Sequence, residues 1–83
     1  MALADELAAE NQFAQAQSEY EAVLRLQPTN VLAHLDLGVM LARQGLFEKA
    51  LRQFEETLRL DPGNKTAREY LARVQDWNRQ KAR

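Results

Sequence analysis

The chain has 83 residues, of which 46% are hydrophobic and 28% charged, and its formal net charge is −1. These values describe one small soluble domain, because a chain of this length can bury only one modest core. Cysteine is absent, which excludes disulfide bonds, thiolate catalysis and cysteine-ligated metals. The near-neutral balance also excludes a global positive field of the kind that attracts nucleic acid or an anionic bilayer.

The N-terminal residues read MALADE. They show neither the basic start and apolar run of a signal peptide nor the length of a transmembrane span. The default expectation is therefore a cytoplasmic protein without membrane contact.

One shift aligns most of the chain with itself. When positions 1–30 are moved by 34 residues onto positions 35–64, eleven of the thirty pairs are identical. The matching pairs include Phe13/Phe47, Ala16/Ala50, Leu24/Leu58 and Pro28/Pro62. Such a period predicts a repeated helical unit.

The first unit is predicted to contain two helices. Leu3 and Leu7 indicate a short helix that ends at a turn around Asn11, and a second helix follows and stops before Pro28. The apolar stripe of that second helix is Phe13, Ala16, Tyr20 and Leu24. A helix of about ten residues is marginal alone, so the N-terminal helix is either held by packing in a closed unit or short and loosely held.

The second unit repeats this pattern more clearly. Asn30 can cap a helix that starts at Val31, and Gly45 suits a left-handed turn at its end. The next helix begins at Phe47 and must stop before Pro62. Its apolar residues Phe47, Ala50, Leu51, Phe54 and Leu58 follow helical spacing.

A fifth helix is predicted after the second unit. Asn64 starts it, and a single apolar stripe runs along it before the basic end. The stripe consists of Ala67, Tyr70, Leu71, Val74 and Trp77. Tyr70 and Trp77 either face outward or lie against the core.

The period and the residues at fixed places within it resemble a tetratricopeptide repeat. The residues that carry the likeness are Leu37-Gly38, Gly45, Ala50, Phe54 and Leu60-Asp61-Pro62. The resemblance implies a single all-α domain over 1–83, in which 1–30 is a first repeat without its first turn, 31–64 a second repeat and 65–83 a capping helix. The implied fold is antiparallel helical hairpins stacked as a short right-handed α-solenoid of five helices.

Catalysis has little support in the composition. The chain has one histidine, one serine and no cysteine, whereas a catalytic site needs a nucleophile, a base and an orienting group. His34 has no second histidine or cysteine to share a metal, so we expect a packed imidazole there. The sequence predicts no enzyme activity, no cofactor and no metal site.

Recognition of another protein is the function that the resemblance implies. The concave face of such repeats forms a groove that suits a helix or an extended peptide. The predicted protein-binding residues are Leu32, Leu35, Asp36, Val39, Arg43, Tyr70 and Arg73. Chaperone-binding members of the family grip a terminal carboxylate with Lys and Asn at positions that here hold residues such as Asp36, Val39 and Tyr70. We therefore expect no carboxylate clamp and an amphipathic or mixed-charge peptide as the ligand.

The charge is unevenly distributed along the chain. Residues 1–64 carry a net −5 and residues 65–83 a net +4. This asymmetry leaves weak homo-oligomerisation through self-association open as an alternative, whereas a nucleic-acid contact is not expected. An engineered or excised repeat scaffold without a dedicated partner is a third interpretation.

Overall fold

The structure, a computed structural model, describes the backbone of residues 2–82 and the side chains of residues 12–81. Within residues 2–82 the chain forms four helices and no strand. The helices are α1 (Ala2–Leu26), α2 (Val31–Arg43), α3 (Phe47–Leu60) and α4 (Lys65–Ala82). The all-α class is therefore confirmed, and α2, α3 and α4 lie where the sequence predicts them.

The first unit differs from its prediction, because α1 is one continuous helix instead of a hairpin. It runs unbroken from Ala2 to Leu26, so the turn predicted at Asn11 is absent and the described chain has four helices instead of five. The equivalent turn of the second unit contains Gly45 with φ of +80°, a conformation that costs glycine little and other residues more. Asn11 adopts that conformation less readily than glycine, and its Ala-, Gln- and Glu-rich surroundings favour helix. The side chains of residues 1–11, including Leu3 and Leu7, lie outside the described residues.

Two asparagines at equivalent repeat positions start α2 and α4. The backbone N–H of Ala33 donates to Asn30 Oδ1 at 2.9 Å, and that of Ala67 donates to Asn64 Oδ1 at 2.8 Å. Each bond satisfies one of the free N–H groups at the start of a helix. Both caps follow, two residues later, a proline that prevents the previous helix from continuing, so a shared Pro-x-Asn pattern sets both junctions.

The helices pack in chain order. α2 lies between α1 and α3, α3 packs on α4, and α4 also touches α2. Short connections make consecutive helices antiparallel neighbours. Within the described part of the chain, α1 packs on α2 alone. Where α2 and α4 meet, they form a crease on the surface. The candidate site lies in this crease.

The core is centred on Phe54, which is fully buried. Its ring approaches the backbone of α2 at Gly38, where a Cβ atom would lie only 2.7 Å from Phe54 Cε1. Val74 of α4 and Ala50 of α3 are also fully buried. The buried hydroxyl of Thr57 donates to the carbonyl oxygen of Gln53 at 2.8 Å, so this polar side chain enters the core without an unsatisfied group.

Candidate functional site

The crease between α2 and α4 contains a cavity of about 420 Å³, which we call the groove. Its lining comes from three helices that are not all adjacent in sequence. The lining residues are Val39, Ala42 and Arg43 of α2, Phe47 of α3, and Tyr70, Arg73 and Trp77 of α4.

Aromatic rings form much of the groove and are anchored to the core or to each other. The ring of Tyr70 stacks on buried Phe54, with centroids 5.5 Å apart and an interplanar angle of 17°. The ring of Trp77 lies 6.1 Å from that of Phe47 at an angle of 42°. Trp77 nevertheless keeps 42% of its surface exposed. The groove therefore presents rigid aromatic surface to solvent, which is the kind of surface that favours an apolar side chain of a ligand.

Two arginines border this aromatic surface. Arg43 ends α2 and Arg73 lies on α4, and both side chains are exposed. The guanidinium carbon of Arg43 lies 5.6 Å from the centre of the Phe13 ring in α1, within the range of a cation–π contact. That contact connects α1 to the groove and holds the Arg43 side chain at its edge.

Lys81 fixes the end of α4 beside the groove. Its Nζ donates to the carbonyl oxygen of Gly45 at 3.1 Å and lies 5.5 Å from the centre of the Phe47 ring. The Gly45 carbonyl belongs to the turn at the C-terminal end of α2, where a cation is favourable. Phe47 is thus contacted by both Trp77 and Lys81, so the aromatic wall of the groove depends on the end of α4.

Four of the seven predicted binding residues lie together in the groove: Val39, Arg43, Tyr70 and Arg73. The prediction for Leu35 is corrected, because Leu35 is only 8% exposed and belongs to the core. Its side chain faces the packed interior, where it contributes to stability instead of to a surface.

The two remaining predicted residues lie elsewhere on α2. Leu32 is 65% exposed but does not line the groove. Asp36 faces Tyr20 of α1. Its negative charge, together with burial and a hydrogen bond, raises the pKa of Tyr20. Asp36 therefore contributes to the contact between α1 and α2.

The sequence did not assign Ala42 and Phe47 to the groove. Phe47 is part of the apolar stripe that predicts the core, and Ala42 belongs to the core. Phe47 is half-buried at the first position of α3, so one part of its ring packs inward while another part reaches the groove. Its place at a helix start next to the Gly45 turn was the available signal, since residues there are covered on fewer sides.

The only histidine is held by hydrogen bonds. His34 Nε2 donates to the carbonyl oxygen of Pro28 at 2.8 Å, and Nδ1 lies 2.8 Å from Gln53 Oε1. The imidazole thus links the α1–α2 connection to α3. Among the described residues, no group of histidine, cysteine or carboxylate side chains has the arrangement of a metal site.

Comparison with known families agrees with the repeat pattern. The family model described as Tetratricopeptide repeat matches residues 1–65 and, in a second placement, residues 41–76. The chain belongs to the tetratricopeptide repeat family. Proteins of this family typically act as non-catalytic scaffolds for protein–protein interaction.

A search of curated proteins gave no match to this chain. Over the described residues, none of the helices is both long enough and apolar enough to cross a lipid bilayer.

Proposed function

We propose that this chain is a non-catalytic scaffold that binds a peptide or helix of another protein in the groove between α2 and α4. The observation that carries the proposal is solvent-exposed aromatic surface in a concave site: Trp77 is 42% exposed beside Phe47, and Tyr70 is braced by Phe54. Aromatic residues held in position lose little conformational entropy on binding, and they are frequent at the centres of protein interfaces.

The size of the groove supports binding of a side chain that belongs to a longer partner. A cavity of about 420 Å³ lies toward the small end of the range for ligand pockets, about 300–1,000 Å³. The helices on either side extend the contact surface beyond the cavity. In this proposal the four described helices belong to a short right-handed array, the inner face of the array holds the partner, and no carboxylate clamp for chaperone tails is formed.

Self-association is a second candidate, favoured by the charge distribution. Residues 1–64 carry a net −5 and residues 65–83 a net +4, so the basic end of one copy can attract the acidic body of another. Exposed charge attraction is weakened by salt. Sedimentation at high protein concentration tests this candidate: a dimer at low salt that dissociates at high salt supports it, and a monomer under both conditions rejects it.

Two matched substitutions on α2 test groove binding. Val39→Gln removes an aliphatic side chain from the groove, whereas Leu32→Gln changes an exposed aliphatic residue outside it. Glutamine adds no charge beside the arginines, so the comparison isolates apolar contact. We expect a peptide selected from a displayed random library to bind Val39→Gln about tenfold more weakly, equivalent to about 1.4 kcal/mol. Leu32→Gln should bind it like the wild type.

Circular dichroism and thermal melting of both variants show whether each remains folded. Equal binding by wild type and Val39→Gln, or a loss confined to Leu32→Gln, would contradict the proposed site.

A further inference from the structure

The groove has a one-sided charge. Arg43 and Arg73 reach it from two different helices, and no residue of its lining carries a carboxylate. Both arginine side chains are exposed, so their charges are available to a partner that covers the aromatic surface between them.

Within residues 12–81, neither arginine has an acidic partner. The ion pairs in this range join Arg59 to Glu56 and Arg79 to Asp76. Asp76 lies next to Trp77 in sequence but is engaged by Arg79. Glu69 precedes Arg73 by one helical turn and forms no ion pair with it within this range. The positive charge at the groove is therefore not neutralised by neighbouring acidic groups in this part of the chain.

The surroundings of Arg43 favour contact with an anion. Phe13 attracts the guanidinium through the face of its ring, with 5.6 Å between the guanidinium carbon and the ring centre. A cation–π contact is an electrostatic attraction to the ring face and does not use the guanidinium N–H groups as hydrogen-bond donors. The N–H donors of Arg43 therefore remain able to bind a carboxylate. Arginine can bind both oxygens of a carboxylate at once, which fixes direction as well as distance.

A partner without acidic groups would cover these charges at a cost. Seating an apolar side chain on Tyr70 and Trp77 removes water from the adjacent guanidinium groups, and a charge that loses water without gaining a partner is destabilising. A carboxylate beside the apolar side chain removes that cost. The favourable ligand therefore combines an apolar anchor with nearby negative charge.

We infer that the groove selects an acidic peptide segment, in which Asp or Glu side chains flank a large apolar residue. This inference rests on the proposed function and specifies its ligand. The carboxylates that it invokes are internal side chains, so the partner needs no free C terminus. Residues 1–64 as a whole carry a net −5, so the distant charges of this part of the chain do not attract an acidic peptide. The attraction comes from the two arginines at the groove, because charges beyond about 8 Å are largely screened at physiological salt.

The test uses the full chain and a displayed library of peptides with one fixed Trp between randomised positions, with the C terminus blocked. Three proteins are compared: the wild type, Arg43→Glu/Arg73→Glu, and the control Arg25→Glu/Arg52→Glu. The control changes the net charge by the same amount at exposed sites outside the groove. Circular dichroism confirms that all three are folded.

We expect acidic residues to be enriched beside the Trp for the wild type and the control, and basic residues for the groove variant. For one selected peptide, changing its Glu and Asp to Gln and Asn should weaken binding to the wild type about tenfold. The same change should have little effect on binding to Arg43→Glu/Arg73→Glu.

The outcomes separate this inference from the proposed function. Peptides that bind the wild type, lose affinity for Val39→Gln and show no charge preference would overturn the acidic selectivity and leave groove binding intact. The same acidic preference in the groove variant would also overturn the inference, because the charge would then be read elsewhere. A library that yields no binder of any charge would overturn both.

Discussion

Gly38→Ala tests a close approach in the core, the contact between α2 and the Phe54 ring. An added Cβ would lie 2.7 Å from Phe54 Cε1 and 3.0 Å from Cδ1 and Cζ. Carbon atoms pack at about 3.5–4.0 Å, so the ring must move. Phe54 is fully buried and stacked on Tyr70, so there is little room for that movement.

Two opposing effects decide the sign of the change in stability. Alanine in a helix is more favourable than glycine by about 1 kcal/mol, whereas overpacking a dense core costs about 1–3 kcal/mol. We expect Gly38→Ala to lower the free energy of unfolding by about 1 kcal/mol, a substantial part of the about 5–15 kcal/mol typical of a domain. Urea denaturation followed by circular dichroism measures this difference.

The other two glycines serve as controls for Gly38. Beyond the glycine itself and its adjacent residues, no heavy atom of the described residues lies within 4 Å of a Cβ built at Gly45 or at Gly63. Gly45 has φ of +80°, so alanine there should cost about 1–2 kcal/mol through backbone strain alone. Gly63→Ala should be neutral or slightly stabilising.

A second substitution identifies the cause of the loss. Phe54→Leu shortens the side chain that meets the new methyl group, so Gly38→Ala should cost less in that background than in the wild type. If Gly38→Ala instead stabilises the wild type by the full helix-propensity gain, the Phe54 ring does not pack against α2 as described.

Three further predictions concern the helix junctions and the contacts of α1 and α4. Asn30→Ala and Asn64→Ala should each reduce the free energy of unfolding by about 1 kcal/mol in urea denaturation, because each removes an N-cap acceptor; unchanged stability would show that water replaces the cap. The charge of Asp36 raises the pKa of Tyr20, so folding holds the phenol proton more tightly. This contribution is present below about pH 10 and is lost as the pH rises through the folded-state pKa. The free energy of unfolding of the wild type should therefore fall relative to that of Tyr20→Phe as the solution becomes strongly alkaline. A difference that does not change with pH would contradict the contact between Tyr20 and Asp36. Lys81→Met keeps an apolar stem but removes the hydrogen bond to the α2–α3 turn, so hydrogen exchange should become faster in the last turns of α4; unchanged exchange would contradict this anchoring role.

The sequence predicted α2, α3 and α4 well because strong local signals mark their ends. Asn30 and Asn64 supply caps, Gly45 supplies the left-handed turn, and Pro62 prevents α3 from continuing. Each of these residues acts through its own backbone or a near neighbour. Such effects can be read from sequence without knowledge of the packing.

The continuity of α1 could not be read in the same way. Asn11 tolerates either a turn or a helix, and the choice depends on a small difference between helix propensity and the packing that a hairpin would gain. The 34-residue period favoured a hairpin in the first unit because the second unit has one. The local signal against that hairpin was the asparagine at position 11, where the second unit has Gly45.

The groove was only partly predictable for a different reason. Leu35 and Val39 lie one helical turn apart, and both fit an apolar face of α2. Leu35 is buried and Val39 is half-buried because the neighbouring helices cover the two positions unequally. That coverage depends on where α4 meets α2, and no pattern within one helix records it.

Titration of Trp77 fluorescence with a tryptophan-free peptide selected from the random library tests the central claim most directly. Trp77 is the only tryptophan of the chain and lines the groove, so a peptide free of tryptophan can be followed without interference. Groove binding predicts a saturable blue shift of the emission as Trp77 loses water, with a midpoint about tenfold higher for Val39→Gln. Saturable binding by calorimetry that leaves the emission of Trp77 unchanged would place the partner elsewhere on the protein.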